Sequence, residues 1–130
     1  MFKYIILTLF LATMGFGADL VKIKELNSDV FGAATRNGIV VVEFWAGWNC
    51  SNKVTLLDST KFEKATIYRI DIEKYPDIQI GSQVVVVPTL IFYDEGEEIA
   101  RIQGDLTFTL NVTKKQIQKQ IDAIVLSKFK

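Results

Sequence analysis

Seven consecutive residues, Ile39-Val40-Val41-Val42-Glu43-Phe44-Trp45, constrain this chain more than any other stretch. Six are β-branched or aromatic, so the run is strongly strand-forming. Because the apolar residues do not alternate with polar ones, the strand is expected at the centre of a sheet and buried on both faces. Both faces then need covering, which points to an α/β architecture with helices on the sheet. Glu43 is the exception in the run. An unpaired carboxylate in such a position would cost several kcal/mol or take up a proton, so it demands a partner.

The flanking segments alternate in the same sense. Val21 and Ile23 alternate with Lys22 and Lys24 in a short strand candidate. Asn27 and Ser28 are cap residues for a helix over Asp29 to Thr35, and Asn37-Gly38 ends it. After Trp48, the residues Asn49, Cys50, Ser51 and Asn52 are types found at helix starts, and Val54, Leu56, Leu57 and Phe62 follow as the apolar positions of a short helix. This places the cysteine near a helix N-terminus. Thr66 to Ile72 reads as a second inner strand with Arg69 in its middle, and Ile78 to Gln83 as a connection that is part helix. Val84 to Tyr93 is extended but interrupted at Pro88, which cannot donate to a ladder. Asp94-Glu95-Gly96-Glu97 forms a hairpin turn before a strand over Glu98 to Gln103, which Gly104 ends. Ile117, Ile121, Ile124 and Val125 then recur at helical spacing, with Lys115, Gln118, Lys119 and Asp122 on the other face. Thr113 and Gln116 form a capping box at its start, a better use of Thr113 than the glycosylation acceptor that Asn111-Val112-Thr113 also spells.

Composition excludes much chemistry. The 130 residues are 49% hydrophobic, with 15 basic and 15 acidic side chains, which fits one globular domain and leaves no basic footprint for nucleic acid. There is no histidine and one cysteine. Histidine acid-base catalysis, an intrachain disulfide and a Cys/His metal site are therefore all outside its repertoire, and neither cofactor nor metal is expected. The first seventeen residues stand apart: Lys3 precedes the apolar run Tyr4 to Leu11, and small residues at Gly15 and Gly17 lead to Ala18. Residues 1–17 read as a secretory signal peptide and 18–130 as the domain, placing the protein in the periplasm or outside the cell with no stable membrane span after cleavage. The alternative is an uncleaved N-terminal anchor, which gives the same side of the membrane.

Val41 to Trp48 resembles the strand that leads into the active-site motif of the thioredoxin family, Trp-Cys-Gly-Pro-Cys-Lys, and Val87-Pro88-Thr89-Leu90 resembles that family's cis-proline motif. Gly96 and Gly104 stand at the family's customary spacing from the proline. The resemblance implies a thioredoxin-like α/β fold, a central mixed β-sheet flanked by helices. It also implies a cis Val87-Pro88 bond, a Glu43–Arg69 pair beneath the active-site helix, and a polypeptide-binding face at Trp48, Val87 and Pro88 that works by β-addition. The segment between Trp48 and Arg69 is a few residues short, which implies a truncated helix.

The departure from the family falls on its chemistry. Aligned without gaps, Asn49 and Asn52 occupy the two thiol positions; a one-residue insertion would put Cys50 at the nucleophile but Lys53 at its partner. No register gives a dithiol, and a mixed disulfide then lacks an internal thiol to resolve it. The leading expectation is a noncatalytic module that binds an extended polypeptide or partner protein. The alternative is a monothiol oxidoreductase using Cys50 against substrates or a small thiol, its thiolate favoured by the helix terminus and Lys53. A purely structural subunit of an envelope redox or assembly complex is a third possibility.

Overall fold

The computed structural model describes residues 23–129. The expected signal peptide, and the start of the first strand candidate at Val21 and Lys22, lie outside that range. Five strands form one mixed sheet: β1 (Lys24–Leu26), β2 (Ile39–Trp45), β3 (Thr66–Asp71), β4 (Thr89–Asp94) and β5 (Glu97–Gln103), in the spatial order β1-β3-β2-β4-β5. β3 runs parallel to both β1 and β2, while β4 is antiparallel to β2 and β5. Among the described residues three helices cover it, α1 (Ser28–Thr35), α2 (Pro76–Ser82) and α3 (Lys114–Ser127).

β2 lies at the centre, and its alternating side chains feed two cores. Val40, Val42 and Phe44 join Leu26, Ile70, Val87 and Ile91 on one face, where Phe31 of α1 packs edge-on against Phe44 at 5.9 Å between ring centroids. Ile39 and Val41 join Leu57, Phe62, Leu90, Phe92 and the α3 residues Ile117, Ile121 and Ile124 on the other. Local signals end the elements where chemistry requires. Asn27 caps α1 by accepting from Val30 N–H at 3.1 Å, and Thr113 and Gln116 exchange capping bonds of 3.1 and 2.8 Å at the start of α3. The β4–β5 turn places both Glu95 and Gly96 at positive φ, 52° and 88°, the twist that a two-residue hairpin requires.

The segment after β2 departs from the sequence reading. No α-helix lies between Trp48 and β3; instead two 3₁₀ segments, Gly47–Asn52 and Thr55–Asp58, cross to β3. The cause lies below them. Glu43 and Arg69 are register partners on β2 and β3, both essentially without solvent exposure, and Arg69 Nε donates to Glu43 Oε1 at 2.7 Å. Val54 N–H donates to Glu43 Oε2 at 2.8 Å, and Val54 C=O accepts from Arg69 Nη2 at 2.8 Å. The Val54 N–H is thus spent on a side chain, and its C=O is shared between Arg69 and the Leu57 N–H, a 3₁₀ bond of 3.2 Å, so no α-helical ladder runs through Val54. Asp58 completes the cluster, accepting from Arg69 Nη1 and Nη2 at 2.6 and 3.0 Å.

Arg69→Ala leaves the Glu43 carboxylate buried without a counter-charge and removes one of the two donors to Val54 C=O, so it is expected to lower stability by roughly 3 kcal/mol or more. Urea denaturation of the two proteins at neutral pH measures this. An unchanged midpoint with unchanged slope would show that the cluster does not hold the loop.

Candidate functional site

The site lies where the chain leaves the C-terminal ends of β2 and β3, at the point where the parallel and antiparallel halves of the sheet meet. Ile72 N–H bonds to Trp45 C=O at 2.8 Å. Asp71 Oδ1 accepts from Gly47 N–H at 3.2 Å and from Glu73 N–H at 2.9 Å, so one buried carboxylate fixes both departing loops. Across from them the chain returns through Val85, Val86 and Val87, with the Val87-Pro88 peptide cis.

Trp48, Ile72, Glu73, Gln79, Val85, Val86, Val87 and Phe108 line a cleft of about 100 Å³. Trp48 is 60% exposed and meets Phe108 edge-on at 5.1 Å between ring centroids. Val87 is buried in this lining, and Pro88 after it is buried outside the lining. Val86 C=O accepts from Thr89 Oγ1 at 2.6 Å, whereas the N–H groups of Val86 and Val87 have no hydrogen-bond partner among the described residues. Such amides beside an apolar cleft can pair with an added strand.

Cys50 is exposed and does not line that cleft. It sits inside a 3₁₀ segment of six residues, so the α-helix terminus expected to act on its thiol is absent. Lys53, expected to add charge near the thiol, places its ammonium 4.4 Å from the centre of the Trp45 ring. Trp45 is itself half-buried rather than core, its indole N–H donating to Glu25 at 3.0 Å. The residue turned inward is Asn49, 8% exposed, at a kink with φ −118° and ψ 26°. Its Nδ2 donates to Phe108 C=O at 2.9 Å, and its Oδ1 accepts from Asn52 Nδ2 at 2.8 Å. The two asparagines aligned with the family's thiols are thus joined to each other and to the loop after β5. That loop is itself held: Asp105 accepts from the backbone of Thr107 and Thr109 at 2.9 and 3.3 Å. Gly104 is required there, since a Cβ would lie 2.8 Å from Thr109 C=O and 2.9 Å from Pro88 C=O.

Sequence reasoning passed over Phe108, Asp58, Asp71 and Glu73. For Phe108 the available signal was Asp105 followed by Thr107 and Thr109, a spacing suited to a side-chain-capped loop. The structure brings Trp48 and Val87 into the lining of one cleft, leaves Pro88 buried next to Val87 and outside that lining, and buries Glu43 with Arg69 beneath the 3₁₀ segments.

A mixed five-stranded sheet whose central strand opens into a loop facing a cis-proline segment defines the thioredoxin fold. The Thioredoxin family model matches residues 22–123, and the chain belongs to the thioredoxin family. It is 31% identical over 89 residues to thioredoxin-2 of Saccharomyces cerevisiae, spanning 65% of this chain and 86% of that protein. It is 30% identical over 99 residues to a thioredoxin of Chlamydia pneumoniae, covering 72% and 97% respectively. Among solved structures, a mutant thioredoxin from Halobacterium salinarum superposes with a TM-score of 0.62 at 19% identity, over 78% of this chain and 89% of that one.

Burial pushes the Glu43 carboxyl above its ordinary value of 4.5, although Arg69 and Val54 N–H act in the opposite direction. Asp58 already faces the Arg69 charge, which makes a second carboxylate partly dispensable. The sign follows from linkage: above pH 4.5 the native state holds the Glu43 proton more tightly than the unfolded chain does. This group's contribution is therefore full below pH 4.5 and is lost as pH rises through its native pKa. Relative to Glu43→Gln, the wild type is expected to lose stability on that rise, measured as the difference in urea midpoint across pH. A difference that grows in the wild type's favour would show that the ion pair outweighs burial.

Proposed function

We propose that this chain is an exported thioredoxin-family module that binds extended polypeptide segments and carries out no dithiol exchange. One observation carries the reading: the positions aligned with the family's two thiols hold asparagines committed to internal hydrogen bonds, while the cleft at Trp48 and Val87 remains open. Binding at such a cleft draws on apolar contact with Trp48 and on strand pairing at Val86 and Val87, neither of which involves sulfur. Export follows from residues 1–17 read as a signal peptide.

Insulin-reduction activity is expected to be negligible. Binding of an unfolded, cysteine-blocked polypeptide should weaken about tenfold or more in Trp48→Ala, the range of an aromatic anchor, and stay unchanged in Cys50→Ser. Fluorescence anisotropy measures the affinity. Sustained turnover lost in Cys50→Ser would instead establish a monothiol oxidoreductase. For export, N-terminal sequencing of the product from a secreting bacterium should begin near Ala18; intact Met1 on cytosolic protein would reject that part.

A further inference from the structure

The cleft sets apolar side chains beside Gln79 and a single charge. Glu73 is the only ionisable side chain in its lining, and it is exposed. Among the described residues no cation lies within ion-pair distance of it. Lys53 and Lys74 border a different cleft, with Trp45 and Tyr75. The Glu73 backbone is held, and its carboxylate lies close to Gly47. Glu73 N–H is tied to Asp71, and a Cβ added to Gly47 would come within 2.5 Å of Glu73 Oε1. The acid therefore rests against the Gly47 backbone, next to Trp48, and a side chain at position 47 would make the carboxylate move aside.

The opposite wall is fixed by hydrogen bonds. Phe108 holds φ at 60°, with its N–H bonded to Asp105 C=O at 3.0 Å and its C=O bonded to Asn49. Its ring remains 41% exposed and abuts Trp48, while Val85 across the cleft is 83% exposed. An apolar slot bounded by Trp48, Phe108 and Val85 thus lies beside an unpaired negative charge. Walls held in place before binding lose little freedom on binding, which favours selection over indiscriminate adhesion.

Resting on the reading of this cleft as a polypeptide site, we propose that it selects extended segments in which a bulky apolar side chain stands next to a lysine or arginine. The apolar side chain enters the slot, and the cation pairs with Glu73. Phe108 and Glu73 are the specificity-determining residues, and Asn49 acts as a positioning residue through the Phe108 carbonyl.

Three fluorescein-labelled, cysteine-free peptides of equal length test this by anisotropy, differing only at a central Lys-Phe, Glu-Phe or Lys-Ser pair. The Lys-Phe peptide should bind the wild type about threefold to fivefold more tightly than the Glu-Phe peptide, the range of one exposed ion pair. That ratio should shrink in high salt and vanish in Glu73→Gln. Gly47→Ala, which displaces the carboxylate, should reduce the charge preference and leave the preference for Phe over Ser. Phe108→Ala should do the reverse, with circular dichroism confirming that each variant is folded. Equal binding of the Lys-Phe and Glu-Phe peptides would overturn the charge selection and leave the polypeptide site standing. Binding of none of the three would overturn both.

Discussion

The Arg69 guanidinium is the point on which the structure around the site turns. It lies between Glu43 on the neighbouring strand and Asp58 at the end of the second 3₁₀ segment, and it also takes the Val54 carbonyl. A planar fork with five donors can serve all of these at once, which a lysine ammonium on a flexible stem could not do in the same geometry. The consequence reaches past the ion pair. By taking the Val54 N–H and sharing its C=O with the Leu57 N–H, the cluster puts side-chain hydrogen bonds where an α-helix would have its own and binds a short crossing segment to the sheet.

That substitution explains how the chain keeps the fold while its crossing segment is short. In an α/β sheet the segment after a central strand must cover one face before returning to form the next parallel strand. Here Val54, Leu57 and Phe62 provide the cover, and the buried charges provide the attachment. The same arrangement leaves Cys50 at the surface and turns Asn49 inward, where it bonds to Phe108. The loop is closed by amide hydrogen bonds where a dithiol protein would close it by a disulfide, and these bonds do not respond to redox conditions.

The opposite side of the cleft depends on close backbone approach. Gly104 N–H bonds to Pro88 C=O at 2.8 Å, and Asp105 N–H bonds to Thr109 C=O at 2.9 Å. These contacts couple the cis-proline segment to the loop carrying Phe108. Asp71 couples the two loops on the near side. The cleft therefore has two walls, each braced by a buried or capped aspartate, and the exposed aromatic edges of Trp48 and Phe108 meet between them.

Much of this architecture could be read from the chain alone, because it rests on local patterns. The unbroken apolar run of β2, the Asn27 cap, the Glu95-Gly96 turn and the Thr113 capping box each involve residues within a few positions of one another, where propensity and hydrogen-bond reach decide the outcome. The buried position of Glu43 and its need for a cation were also legible, since a carboxylate inside an apolar strand has few alternatives. The resemblance supplied Arg69 as the partner, and what the sequence could not show was the rest of the arrangement. Asp58 as a third member, the loss of the helix after Trp48, the inward turn of Asn49 and the placement of Phe108 against Trp48 all join residues 11 to 60 positions apart. Local preference for a helix start at Asn49 to Asn52 gave way because the tertiary fold offered the Val54 peptide groups stronger, charged partners in a buried setting.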